Sequence, residues 1–444
     1  MNLIYGIKDK PKFGQTILFA LQQLLAIMAA TIAVPAIIGN GMSQTAALFG
    51  AGVGTLVYLL FTKFRSPVFL GSSFAFLGSM ATAFAGAISM EAGYVGLILG
   101  AAFAGLVYVI IAIVVKFCGV RWINKLMPPV VIGPTVAIIG LSLAGNAVGD
   151  VVGNTAATAS PYVCIICGLV TLAVTILCSV FGKKMLKMIP FIIGIVAGYI
   201  VATVFTLIGN ATENAALQVI NFGLFNSIQW VPSFTFITAA KGLSDLTGSY
   251  IATVAVAYVP VAFVVFAEHI ADHKNLSSIV GEDLLTNPGL HRTLLGDGIG
   301  SFAGALFGGC PNTTYGESVG CVAISGNASV VTILTTAILA IIISFFGPFA
   351  TFLATIPACV MGGVCFALYG FIAVSGLKMV QKVDLNENRN LFVVSVILIA
   401  GVGGMTVSFG AVTITSVACA LILGILVNVM LSGKKAKAEA SEEK

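Results

Sequence analysis

Four carboxylates stand where an apolar chain has no ordinary place for them: Glu268, Asp272, Asp297 and Glu317. An acid within a membrane span costs several kcal/mol, so each is a functional candidate. Glu268 and Asp272 lie four apart in "VVFAEHIADHKN" and share one helix face. Glu317 closes "PNTTYGE", where Asn312, Thr313, Thr314, Tyr315 and Gly316 interrupt an apolar run. An ionised carboxylate only accepts hydrogen bonds, and backbone N–H groups only donate them. A site made of both matches a flat ring that alternates N–H and C=O, as oxidised pyrimidines and purines do. An inorganic anion would meet the donors but be repelled by Glu268 and Glu317. Burial also raises a carboxylate's proton affinity, which lets it carry a proton. Glu268 is therefore expected to serve substrate and proton together. Asp272 is its proton-coupling neighbour unless it is a solvated helix-end residue, and Asp297, close to a helix end, reads as structural.

His269 and His273 also share a helix face, the arrangement of paired zinc ligands. "HExxH" is absent and the third histidine, His291, falls in a loop, so no metal is expected. No nucleophile and base are set out together, which argues against an intramembrane hydrolase and against an enzyme generally. The proton is the only cofactor-like species required.

These groups must be held by membrane helices. Of the 444 residues 59% are hydrophobic and 8% charged, against about 25% charged in a soluble domain. Apolar runs repeatedly reach the roughly 20 residues that span a bilayer. Fourteen candidate helices fall near 15–38, 44–62, 66–88, 93–117, 129–148, 161–181, 188–208, 249–273, 291–308, 312–328, 330–347, 357–381, 390–408 and 409–431. With the N-terminus in the cytoplasm, 20 of the 21 basic residues fall on the cytoplasmic side, Lys241 in the 209–248 connection being the exception. The net charge of +5 is thus a topology signal and not a nucleic-acid footprint. Both termini are expected inside. Helix one has no cleavage site after it and reads as retained. The "CIIC" at 164–167 reads as small hydrophobes inside a helix rather than a redox pair.

The fifth and twelfth segments share a skeleton: Pro129, Gly133 and Gly140 against Pro357, Gly363 and Gly370, the glycines 230 apart. A shift of seven helices inverts the second half, the repeat typical of secondary transporters. The interruption in helix three, Gly71–Ser72–Ser73, corresponds to that at 312–317 in helix ten. Irregular backbone at membrane depth is tolerated where it lines a cavity, and a half-helix starting there presents free N–H groups. Phe74 and Tyr315 flank the breaks and could cover the faces of a ring.

At these residues the chain resembles the nucleobase–ascorbate transporter family, and within it the bacterial uracil:proton symporters. The resemblance is carried by "GSSFAF" at 71–76, "AEH" at 267–269, "NPGLHR" at 287–292 and "PNTTYGE" at 311–317, and runs over roughly residues 6 to 432. It implies an all-α polytopic fold of fourteen segments in two inverted seven-helix repeats, 1–208 and 249–431, joined by an external 209–248 connection. Helices one to four and eight to eleven would form a core. The rest would form a gate that also makes a homodimer within the lipid bilayer of a bacterial inner membrane. Residues 432–444 would be a disordered cytoplasmic tail. Carried over, Glu268 would accept from ring N–H groups, while Glu317 and the Gly316 backbone bind the other edge. The Phe74 N–H, with Ser73 before it, would reach a carbonyl, and Tyr315 and Phe74 would pack on the ring. Tyr369 in "ALYG" would face the base from the gate. Two departures bear on coupling: Gln23 occupies a helix-one histidine position, and Asp272 stands where the uracil type has histidine. Uracil import by proton symport is the leading expectation, with a xanthine or mixed nucleobase carrier as its near alternative. An anion exchanger of similar architecture or a passive channel is the alternative of another class.

Overall fold

The structure is a computed structural model that describes residues 3–119, 122, 128–153, 159–183, 185–226, 228–409 and 412–442. Arg121, Lys125, Lys184 and Lys444, used in the charge reading, lie outside these residues, and the side chains of the expected tail 432–444 are not described.

Helices dominate because an apolar backbone withdrawn from water must satisfy its own N–H and C=O groups. In chain order they are α1 (Phe13–Ile38), α2 (Gln44–Phe61), α3 (Leu77–Ala85), α4 (Met90–Cys118), α5 (Pro129–Ser142), α6 (Ala144–Val151), α7 (Pro161–Phe181) and α8 (Pro190–Ala211). After the long connection come α9 (Gly248–Val280), α10 (Leu290–Gly308), α11 (Gly316–Ser325), α12 (Val330–Ser344) and α13 (Gly347–Thr355). The last three are α14 (Ala358–Val380), α15 (Asn388–Val402) and α16 (Ser416–Glu442). Four three-residue strands complete the main elements: β1 (Leu70–Ser72), β2 (Asn312–Thr314), β3 (Val407–Phe409) and β4 (Val412–Ile414).

Each expected segment contains helix, with strand also present in the third, tenth, thirteenth and fourteenth. By length and composition, however, eight helical stretches among the described residues could cross a membrane, α5 and α6 counted together as one, or nine if α12 and α13, bent by 82°, also count as one. The third and tenth segments fall short because part of each is strand. The thirteenth ends at Val402 and is followed by the β3–β4 hairpin, which the sequence reading had merged into helix.

The helices pack chiefly in two groups. One holds α1–α4 with α9–α12, and the other α5–α8 with α14–α16. Small residues let backbones touch where no hydrophobic driving force separates protein from lipid. Across α2 and α10 the contact is Gly50 and Gly54 against Gly300, Gly304 and Gly308. A Cβ on Gly50 would sit 2.3 Å from the Gly304 carbonyl oxygen. Of the two glycine pairs matched between the halves, Gly140 is pressed on the Tyr369 carbonyl, whereas a Cβ on Gly370 would meet nothing within 4 Å. That pair does not share an environment.

Candidate substrate-binding site

The two interrupted segments meet. β1 and β2 pair antiparallel, with Leu70 opposite Thr314, Gly71 opposite Thr313 and Ser72 opposite Asn312. Backbone freed from helix in each segment is thus satisfied by the other, and the Ser73 N–H adds a bond to the Pro311 carbonyl at 2.9 Å. Side chains lock the pair. Tyr315 Oη donates to the Ser72 carbonyl at 2.7 Å, and Asn312 Nδ2 donates to the Gly50 carbonyl at 3.1 Å. Gly71 is required here, since a Cβ on it would lie 2.3 Å from the Tyr315 ring.

Beyond each strand a helix begins without a side-chain cap: the 3-10 turn Phe74–Phe76 leading into α3, and α11 at Gly316. First-turn N–H groups left without an intrahelical partner remain available for a ligand. Glu317 lies in the first turn of α11, where the helix dipole favours an anion.

A small chamber of about 40 Å³ lies at this junction, walled by Ser73, Phe74, Thr313, Thr314, Tyr315, Gly316, Glu317 and Glu268, with Ile139 of α5 and Ile372 of α14 opposite. It adjoins a vestibule of about 340 Å³ that shares Glu268, Gly316, Glu317 and Ile372 and extends past Asp272 to Lys187. The site therefore lies between the two helix groups. Most of its polar groups come from one group, and the other supplies apolar walls.

Asp272 accepts from Thr314 Oγ1 at 2.8 Å, which ties α9 to β2. Among the described residues, the one acid–base pair within 4.0 Å is His269 Nδ1 with Asp297 Oδ2, at 2.6 Å, so neither Glu268 nor Glu317 is neutralised by a basic neighbour. His269 Nε2 contacts Thr293 Oγ1 at 2.9 Å, and His273 Nε2 lies 2.7 Å from Tyr58 Oη. The two imidazole rings stack at 4.1 Å. These histidines are thus committed to a buried polar network joining α9, α2 and α10. No group of three potential metal ligands occurs among the described residues.

Of the residues expected at the site, Glu268, Glu317, Gly316, Phe74, Tyr315 and Ser73 wall the chamber. Asp272 lines the vestibule instead. Tyr369 is set behind Phe74, edge to face with ring centroids 5.8 Å apart, and its buried hydroxyl has the Cys365 thiol as its polar neighbour. Sequence reasoning passed over Thr314, Ile139 and Ile372. Thr314 could have been suspected from its place in the polar run; the isoleucines look like any others in a membrane helix.

A fold of paired broken segments around an acid-lined cavity defines a membrane carrier. In agreement, a family model described as "Permease family" (Xan_ur_permease) matches residues 14–409, and the chain belongs to that family. It is a membrane permease and not an enzyme. Among similar proteins, the uracil permease of Bacillus subtilis (strain 168) is 39% identical over 451 residues, covering 99% of this chain and 98% of the relative. The uracil permease of Escherichia coli (strain K12) is 36% identical over 424 residues, covering 95% and 92%. The transmembrane domain of the cyanobacterial bicarbonate transporter BicA has a similar fold, with a TM-score of 0.66 at 16% identity over 96% of this chain and 99% of that one. Murine Solute Carrier 26 family member A9 is also similar in fold, with a TM-score of 0.66 at 13% identity, covering 96% and 69%.

Proposed function

We propose that this permease imports uracil across a bacterial cytoplasmic membrane by proton symport with alternating access. The observation that carries the proposal is the chamber itself: two uncapped helix starts, joined back to back by β1 and β2, face Glu268 and Glu317. Donors and acceptors then converge on one space, as the edges of a diketo pyrimidine require. The full-length similarity to uracil permeases supports the same choice of base. The chamber is too small for a ring by itself, so the base would sit where it opens into the vestibule, against Phe74 and Tyr315 with Tyr369 behind. The two acids oppose the anion-exchange reading, although relatives in fold include an anion transporter.

In this reading Glu268 binds the ring and carries the proton, and Asp272 passes it between Glu268 and the vestibule. The first helix group is the moving core and the second the gate. The fourteen segments form two inverted repeats with both termini cytoplasmic, and the gate's lipid-facing surface provides for a homodimer. Uptake of labelled uracil into inside-alkaline proteoliposomes tests the proposal. Accumulation that a protonophore collapses and xanthine leaves untouched is expected. Strong xanthine competition would transfer the assignment to the purine, and uptake indifferent to the gradient would remove the proton.

A further inference from the structure

Immediately behind Glu317, one buried hydroxyl joins three separate stretches of chain. Ser318 Oγ accepts from Gln23 Nε2 of α1 at 2.5 Å and from the Phe69 backbone N–H at 3.1 Å. Gln23 Nε2 also lies 3.4 Å from the Ser318 carbonyl oxygen. Ser318, Gln23 and Phe69 are 0%, 3% and 0% exposed. Phe69 is the residue before β1, and its neighbour Leu70 is held in turn by Thr55 of α2, whose Oγ1 accepts from the Leu70 N–H at 2.9 Å. A hydroxyl oxygen has two acceptor sites, and both are occupied here by N–H donors.

We infer that Gln23 and Ser318 form a clamp that sets the rotation of α11 and thereby aims Glu317 and the Gly316 N–H into the chamber. The strand pair cannot do this alone. It has three rungs and ends at Thr314, and the chain then reaches α11 through Gly316, where a Cβ would find only one atom, 3.8 Å away. α11 is anchored at its far end by the Ile4 and Tyr5 N–H groups on the Gly326 carbonyl and by the buried Val319 and Val322. Beyond the Gly316 pivot its first turn takes its polar anchor from Ser318. Ser318 is the next residue after Glu317, about 100° around the helix. Fixing its hydroxyl on the side of α1 and Phe69 fixes Glu317 on the side of the cavity. Because Phe69 leads into β1, the same oxygen also keeps the two broken segments in register. Both partners of the clamp are uncharged, so its hold does not change with proton uptake at the acids that share the vestibule: Glu268 and Asp272 on α9 and Glu317 on α11. Gln23 and Ser318 touch no substrate in this arrangement; they are positioning residues.

The inference rests on the proposed nucleobase site, and its test is built to separate the two. Ser318→Ala, Gln23→Met, the double variant and Ser318→Thr are compared with wild type in purified, reconstituted protein. Uptake is measured with labelled uracil, or with xanthine if the wild type prefers it. Losing a buried hydrogen bond that orients one ligand contact should raise KM about ten-fold while leaving Vmax within about two-fold. Ser318→Thr, which keeps the oxygen, should restore the wild-type KM. The double variant should be no worse than Ser318→Ala, since both substitutions break the same bond. Gln23→Met retains the bulk of the glutamine and gives a second route if Ser318→Ala does not fold. Unchanged KM in either single variant, or losses that multiply in the double, would overturn the clamp. A wild type that binds neither base would overturn the substrate reading on which the clamp depends.

Discussion

Gly71→Ala is the smallest change that attacks the junction of the two halves. An added Cβ would lie 2.3, 2.4 and 2.9 Å from three atoms of the Tyr315 ring, where an ordinary contact is 3.4 Å or more. The ring has little freedom to retreat, because its hydroxyl is bonded to the Ser72 carbonyl and the residue is 5% exposed. Overpacking of a tight site costs about 1–3 kcal/mol. If the ring does swing away it gives up a buried hydrogen bond, about 0.5–1.5 kcal/mol more. Together these come to about 1.5–4.5 kcal/mol, and if all of it falls on ligand binding, Kd rises about ten-fold to about two thousand-fold. Gly78 is the matched control, since a Cβ there would meet nothing within 4 Å. Equilibrium binding of labelled uracil to purified Gly71→Ala, Gly78→Ala and wild type, alongside thermal unfolding of each, measures the effect. Gly78→Ala should match wild type within about two-fold, as an exposed, uncrowded substitution does. A Gly71→Ala protein that binds as tightly as wild type would refute the reasoning, because it would mean that Tyr315 leaves its place without consequence for the site.

Four further outcomes are expected. Glu268→Gln should abolish uptake while the protein still folds and inserts normally; full transport in that variant would remove Glu268 from the mechanism. Asp272→Asn keeps an acceptor for Thr314 but loses the titrating group, so uptake should become less dependent on external pH while uracil binding is largely retained. An unchanged pH profile would return Asp272 to a structural role. Tyr369→Phe removes a buried hydroxyl whose one polar neighbour is the weakly bonding Cys365 thiol, so the melting temperature should fall little; a higher KM would show that the hydroxyl engages the base. Asp297→Ala leaves His269 Nδ1 buried without its partner and should destabilise the protein by about 1–3 kcal/mol, read as a lower melting temperature.

The breaks at Gly71–Ser73 and at 312–317 were legible because polar residues in an apolar run must have a use. The acids were legible for the same reason. Helix limits came through well where glycine or proline marks an end, as at Pro161 and Pro190, which begin α7 and α8. What could not be read was pairing at a distance. A three-residue strand is too short to show alternation, so nothing local announced that Leu70 would lie opposite Thr314. Gln23 looked like a departure from a pattern and Ser318 like one more small residue; their bond exists only because two helix segments 295 positions apart are brought together. The eleventh expected segment ends at 347, where the bend between α12 and α13 falls, but the short helix α13 that follows was not expected. Asp150, placed by the sequence in a loop, instead lies within α6 against Gly362 of α14.

The pairing of β1 with β2 also bears on how the chain is made. Ser72 and Tyr315, bonded at the heart of the site, are separated by 243 positions. Neither strand can form its ladder before the other exists, so the candidate site cannot be assembled when the ribosome has completed only the first half. Until Tyr315 has been synthesised and inserted, the polar backbone around Ser72 has to wait in water, at the bilayer surface or in the insertion machinery. Contacts of such long range are formed late and slowly. An N-terminal fragment ending before β2 should therefore be both inactive and a ready substrate for membrane quality control, and supplying the second half as a separate chain should rescue it only if the two strands can still find each other.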